Sequence, residues 1–536
     1  MKKMLMVLAS VISFQALAEQ PKLIVQITVD QLRGDLLQRY KHNFIEDEDE
    51  LGFNMFLDKG TLYTNAHYRH SATLTAVGHA TLATGAIPSA HGLIGNNWFD
   101  VPSNSDMYCV ADVNTKILQG SGKSASPVNL NASTFSDQLH MATTGKAKIY
   151  SVSVKDRGAV LTGGRFGKSF WFDKYAGDFV TSTYYYAAMP QWAAEFNNSG
   201  LKDKFIGASW DLTKDESVYH NDDKNRIFQI PPRGFNRGFP HNLPKEAGKA
   251  YYSSLTITPY GDWLTAKFAE KILLEQELGK DNITDYLAIS FSLADYIGHN
   301  YGPSSLESED NFYQLDKTLS DLFKTIDKEV GHQNVIYVLS ADHGVDEIPE
   351  FKKSLGFAAQ RGNVENKVKA FAADLQKSLK LDGNPLLSAR LPNIYLNHQV
   401  IGGQLDKVNE AFANFFETLP EIARYFDKAT LSANDFTTDP IALKVKNNFM
   451  PERSGDFVLV QKTSTMTANY SSATHGSPYS YDTHVPVYFT GWKIPAQKVT
   501  RLTSPEDVAV TLSATLEIGF PDKATGTVLS EIAEIQ

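Results

Sequence analysis

With 536 residues, 42% of them hydrophobic and 11% aromatic, the chain can bury a large core and is too apolar for a disordered protein. Its formal net charge of -10 excludes a general affinity for nucleic acid or anionic membranes, so any anion site must carry its own local positive charge. The single cysteine, Cys109, excludes an intramolecular disulfide and reads as a small buried apolar residue.

The chain opens with a basic Met1-Lys2-Lys3, a short apolar run from Met4 to Phe14, and Ala16-Leu17-Ala18. This is the plan of a signal peptide over residues 1–18, with a run too short to span a bilayer. Cleavage after Ala18 is expected. The mature chain 19–536 would then be periplasmic or secreted, with no stable membrane insertion.

Leu23 to Val29 is continuous, apolar and β-branched, the pattern of a buried strand, and it ends on Asp30. Ser71 to Asn97 follows, a Gly-punctuated stretch in which Thr75 stands four residues before His79, with a helix expected to begin just after Thr75. Lys148 to Val154 reads as a strand and runs into Lys155-Asp156-Arg157-Gly158. Trp263 to Leu274 reads as a helix. Tyr286 to Phe291 is a strand leading into Asp295-Tyr-Ile-Gly-His299. Leu306, Phe312, Leu315, Leu319, Leu322, Phe323 and Ile326 recur at helical spacing. Val335 to Leu339 is a strand followed by Asp342-His343-Gly344, and Val364 to Leu379 reads as a helix. Val485 to Phe489 is a fifth strand, whose Pro486 suggests an edge or a strand start.

Alternating strands and helices predict an α/β fold with a mostly parallel central sheet and helices on both faces. Residues 158–279 and 345–473 interrupt this pattern and read as insertions capping the site. Polar residues gather where four strands end: Asp30, Lys155 and Arg157, Asp295, then Asp342 and His343. Open α/β sheets bind ligands at that edge.

The residue types there point to metal-assisted chemistry. Asp295 and His299 are four apart and share one face of a helical turn. Asp342 and His343 are adjacent at a strand end. The late segment His475-Gly-Ser-Pro-Tyr-Ser-Tyr-Asp-Thr-His484 offers one further imidazole, His475 or His484. With Asp30 these make three carboxylates and three imidazoles, a set that suits two zinc ions with three protein ligands each and positions left open. A threonine hydroxyl is a poor nucleophile until a metal lowers its pKa, and Thr75 is read as that nucleophile. Lys155 and Arg157, at alternate positions after a strand, can project together and supply the positive charge the acidic chain lacks.

Taken together, Asp30, Thr75-A-V-G-His79, P-S-A-H-G-L-I-G-N-N, Asp295-x-x-x-His299, Asp342-His343-Gly344 and His475-Gly resemble the alkaline phosphatase superfamily. The resemblance spans nearly the whole mature chain. It looks closest to the phosphate-irrepressible, threonine-nucleophile alkaline phosphatases, relatives of the nucleotide pyrophosphatases/phosphodiesterases. It implies an alkaline-phosphatase-like fold and zinc-dependent hydrolysis of phosphate monoesters through a phosphothreonine. It implies one zinc on Asp295, His299 and His475, and the other on Asp30, Asp342 and His343 beside Thr75. Lys155 and Arg157 match that group's phosphoryl-contacting Lys-x-Arg pair. Asn96, 21 positions after Thr75, takes the phosphate-binding asparagine's place. The Gly after His475 selects it over His484, and His79 becomes a structural partner of the turn. The alternatives are a phosphodiesterase/nucleotide pyrophosphatase of the same superfamily, or a non-catalytic envelope zinc- or phosphate-binding protein. The absence of C-x-P-x-R argues against a type I sulfatase, no separate magnesium site is predicted, and a monomer is expected.

Overall fold

In the computed structural model, residues 20–467 and 470–534 are described; the expected signal peptide lies outside them. A ten-stranded sheet forms the centre. Across it run Gln497–Val499, Thr61–His67, His484–Gly491, Val335–Ser340, Leu23–Val29, Asp285–Phe291, Ile149–Ser153, Lys168–Asp173, Asp178–Ser182 and Ile117–Leu118. The five from Val335–Ser340 to Lys168–Asp173 are mutually parallel; antiparallel neighbours flank them on both sides.

Strand alternation builds a core on each face. Leu23, Val25, Ile27 and Val29 point into one, against Leu264, Phe268 and Ile272 of helix Tyr260–Glu275 and Leu315, Leu319 and Leu322 of helix Leu306–Val330. Ile24 points into the other, against Phe135 and Leu139 of helix Phe135–Ala142 and Val508 and Leu512 of helix Asp507–Thr515. With both faces covered, the central strands read as apolar runs, which is why they were legible.

Three features depart from the sequence reading. His484–Gly491 is not an edge: it pairs with Val335–Ser340 on one side and Thr61–His67 on the other. Pro486 is accommodated near the strand's start, where the pairing with Thr61–His67 shifts register between Val485 and Val487. Because the strand is antiparallel, the loop preceding it, which carries His475, reaches the edge where its parallel neighbours end. The stretch 158–279 is also not all insertion. Lys168–Asp173 and Asp178–Ser182 belong to the central sheet, and the aromatic content there is partly Phe170, Phe172 and Phe179 in the core. Thr61–His67, whose polar Thr64, Asn65 and His67 break both an apolar run and a strict alternation, was missed.

Within 345–473 a separate four-stranded antiparallel sheet, ordered Leu386–Arg390, Asn393–Leu396, Phe457–Gln461 and Ile422–Asp427, packs beneath helices Val364–Ser378 and Leu405–Thr418. It has its own core, including Val368, Ile394, Phe412, Phe416 and Phe457. Between this smaller unit and the segments carrying Leu74, Asn96 and His475 lies a cavity of about 330 Å³.

Candidate active site and metal centre

The parallel register places four strand ends level with one another. Thr28 lies opposite Ser290 and Ser340, and Ser290 opposite Ser153. The next residues along each strand, Asp30, Lys155, Asp295 and Asp342, therefore converge, and all are buried.

Helix Thr75–Thr84 begins on Thr75 itself, after an extended Leu74, so the hydroxyl sits at the helix's positive end. The helix can lie this close to Asp342 only because residue 78 is glycine: a Cβ there would fall 1.9 Å from the Asp342 carbonyl oxygen. His79 Nδ1 is 2.9 Å from the Thr75 carbonyl oxygen and Nε2 is 2.8 Å from Ser290 Oγ, tying the turn to the sheet. Nδ1 also lies 3.2 Å from Asp342 Oδ2.

Lys155 and Arg157 do converge on the site, but not as alternate residues of an extended segment. Lys155 caps helix Asp156–Gly163, and Arg157 lies in its first turn. Lys155 Nζ bridges Asp30 Oδ2 at 2.7 Å and Asp295 Oδ2 at 2.5 Å. Arg157 Nη2 donates to Thr75 Oγ1 at 3.3 Å, Nη1 faces the Tyr108 hydroxyl at 3.4 Å, and Nε is buried without a partner. Asn96 accepts from Ala76 N at 2.8 Å through Oδ1, which fixes its amide orientation beside Thr75.

The imidazoles share one design. His299 Nδ1 faces the Ala473 carbonyl at 2.7 Å, His475 Nδ1 the Thr73 carbonyl at 2.7 Å, and His343 Nδ1 the Gly344 carbonyl at 3.0 Å. A carbonyl accepts only, so each Nδ1 carries a hydrogen, and in the neutral ring Nε2 is left with a lone pair for a cation. Each Nε2 points at carboxylates. Nε2 of His299 and His475 lie 3.2 and 3.3 Å from Asp295 Oδ1, and His343 Nε2 lies 3.4 Å from Asp30 Oδ1 and 3.5 Å from Asp342 Oδ2.

Acceptors facing acceptors in a dry interior are unfavourable unless a cation sits among them. Asp30 Oδ1 and His343 Nε2 are buried without a hydrogen-bond partner, and Asp342 Oδ2 has only His79 Nδ1, 3.2 Å away, whose hydrogen is directed to the Thr75 carbonyl. The donor atoms of Asp295, His299 and His475 all lie within 4.8 Å of one another, as do those of Asp30, Asp295 and His343. Asp295 thus stands between two groups, and Asp342 joins the second through His343. The donor set, all oxygen and imidazole nitrogen with unpaired buried atoms, fits two divalent ions.

The electrostatics show the same need. Burial and the neighbouring Asp342 push the Asp30 carboxyl well above its usual range despite Lys155. Burial would raise Asp295 too, but His299 and Lys155 hold it well below. Asp342 is likewise held down, against its burial, by His343 and His79. Burial lowers His343 to about 3 and also lowers His475, which keeps both neutral; His299 is raised instead, because Asp295 outweighs its burial, so a cation bound there must displace a proton shared with Asp295.

Residues missed in the sequence include Gln31 and Tyr108. Gln31, with a left-handed φ of 67°, donates from N to Asp342 Oδ1 at 3.1 Å and from Nε2 to Asp295 Oδ1 at 2.8 Å. Its place directly after Asp30 was the only available signal. Tyr108 orients Arg157 and donates to Asp156 Oδ1 at 2.5 Å.

The chain matches the family model described as type I phosphodiesterase / nucleotide pyrophosphatase over residues 24–492. It is similar to alkaline phosphatase PafA of Elizabethkingia meningoseptica, 32% identical, with 96% of this chain and 94% of the relative covered. It is also similar to a Myroides odoratus protein named calcium-transporting ATPase, 33% identical over 97% of both chains. A crystal structure of wild-type alkaline phosphatase PafA superposes with a TM-score of 0.88 at 30% identity, covering 96% of this chain and 99% of that one. A second structure of a protein of that name carries substitutions at a threonine and an asparagine 21 positions apart, and at a lysine and an arginine separated by one residue.

Proposed function

We propose that this chain, which belongs to the type I phosphodiesterase / nucleotide pyrophosphatase family, hydrolyses phosphate monoesters through a phosphothreonine on Thr75, using two zinc ions. It is an enzyme of the alkaline phosphatase superfamily, and phosphate ester hydrolysis is the chemistry it shares with its relatives. One ion falls to Asp295, His299 and His475, the other to Asp30, Asp342 and His343. When bound, they supply Lewis-acid charge that lowers the pKa of the Thr75 hydroxyl and offsets charge on the departing oxygen.

The protein's own groups do the rest. Thr75 Oγ1, at the start of its helix, attacks phosphorus as the ester oxygen leaves on the opposite side. Water then attacks the phosphothreonine and restores the hydroxyl. Arg157, already 3.3 Å from Oγ1 with its Nε unpaired, binds the non-bridging oxygens together with the Asn96 amide. Lys155 sits between the two ligand groups as countercharge to Asp30 and Asp295. With cations meeting those carboxylates, its ammonium is available to the phosphoryl oxygens.

The observation that carries the reading is this cationic cradle on the nucleophile, which suits a dianionic monoester. Thr75 and Asn96, and Lys155 and Arg157, have the spacings of the four residues substituted in the PafA structure, which supports the assignment. The proposal includes a periplasmic or secreted monomer acting on small phosphomonoesters, its location supported by the basic and apolar pattern of residues 1–18.

One observation favours a diesterase instead. The 330 Å³ cavity beside Asn96 and His475 is lined in part by Leu74, Leu391, Pro392 and Val460, which would hold a second ester group. Comparing kcat/KM for a monoester and its matched diester decides between them. Diester turnover ahead by orders of magnitude would overturn the monoesterase assignment.

A further inference from the structure

The site's donors come from segments scattered from Asp30 to His475, yet residues 482–484 hold most of them in register. The Asp482 carbonyl accepts from Gly344 N at 2.7 Å, next to His343. The Thr483 carbonyl accepts from Tyr68 N at 2.9 Å, in the segment running into Thr75. The Tyr68 hydroxyl in turn donates to the carbonyl of Ala341, just before Asp342, at 2.7 Å. The His484 carbonyl accepts from Gly34 N at 2.9 Å, in the turn after Asp30.

The His475 loop is gripped differently, by a side chain. Asp482 Oδ2 accepts from Gly476 N at 3.1 Å, Ser477 N at 2.8 Å and Ser477 Oγ at 2.6 Å. Asp482 is buried, and among the described residues it makes no ion pair with a lysine or arginine. Its other oxygen has no partner. A carboxylate in such a place is costly and is retained by what it holds. What it holds is a backbone in an unusual conformation: Gly476 has φ +116°, and both amides that follow His475 turn onto one oxygen. His475 itself stacks on His343, centroids 3.5 Å apart and 14° from parallel. Stacking alone leaves a ring free to slide, so its lateral position is set by Nδ1 on Thr73 and by the loop backbone.

We propose that Asp482 is a positioning residue for His475. It locks the loop so that Nε2 meets Asp295 Oδ1, and thereby sets the cation affinity of the Asp295, His299 and His475 group. The affinity half rests on the two-cation reading above; the clamp does not.

The test has two arms on the full chain. In metal-free protein, hydrogen exchange at the Gly476 and Ser477 amides should be at least about 10-fold faster in Asp482→Ala than in wild type, with amides of Leu23–Val29 unchanged. Asp482→Asn, which keeps an acceptor oxygen, should fall between, and Ser477→Ala should change exchange less. These two carry the test should the alanine variant not fold. Unchanged exchange at 476 and 477 in the folded variants overturns the clamp. In the second arm, chelator competition with zinc should show one of two equivalents weakened roughly 10–100-fold in Asp482→Ala and largely restored in Asp482→Asn, the other unchanged. Faster exchange with both affinities intact overturns the positioning role. A wild-type protein that takes up no zinc overturns the two-cation reading and the affinity half with it, leaving exchange to judge the clamp.

Discussion

Replacing Arg157 by alanine tests the electrostatic core of the proposal. The guanidinium is buried, its Nε–H has no protein partner, and its Nη2 has a second hydrogen besides the one given to Thr75 Oγ1, so two N–H groups can serve a phosphoryl group. Each charge-assisted hydrogen bond contributes about 1.5–3 kcal/mol, so losing two costs about 3–6 kcal/mol. That is a fall of roughly 10²–10⁴ in kcat/KM for a monoester. A matched diester carries one negative charge fewer and should lose much less, so the monoester-to-diester ratio should collapse. Zinc content should be unchanged, because Arg157 touches none of the proposed ligands. Steady-state kinetics on the paired substrates, with metal analysis of the same preparations, gives all three numbers. A variant within threefold of wild type on the monoester, or one losing equally on both substrates, refutes the reasoning.

Thr75→Ala should abolish turnover while retaining bound zinc, and rapid acid quenching of wild type with a labelled monoester should trap phosphate on Thr75; full activity in the variant would exclude it as nucleophile. Gly78→Ala should destabilise the protein by about 1–3 kcal/mol, because the added Cβ meets the Asp342 carbonyl at 1.9 Å and the helix carrying Thr75 must shift; urea unfolding alongside kcat should show activity falling further than stability. His343 is held neutral, its pKa lowered by burial to about 3, so the unfolded chain binds the extra proton between about pH 6.5 and 3. Metal-free protein should therefore lose stability as pH falls through that window, by up to about 1.4 kcal/mol per pH unit from this group, and His343→Gln should lack that component.

The sequence alone carried the α/β class, the buried central strands and the polar residues at their ends. These are local signals: a β-branched run followed by Asp30, an Asp295/His299 pair at helical spacing, an Asp342-His343 pair after Val335–Ser340. Pairing between segments was not local. Nothing near Pro486 says that its strand lies between two others, antiparallel, and so delivers His475 to the right edge. Nothing near Gln31 says that it bridges Asp342, 311 residues on, to Asp295. Lys155 was read from its place after a strand as a source of positive charge and, through the resemblance, as a phosphoryl contact; its salt bridges to Asp30 and Asp295 become visible only when three strand ends are level. Residue types and their order therefore determined which donors exist. Only the folded sheet, with its register and its close approach at Gly78, decided which donors face one another.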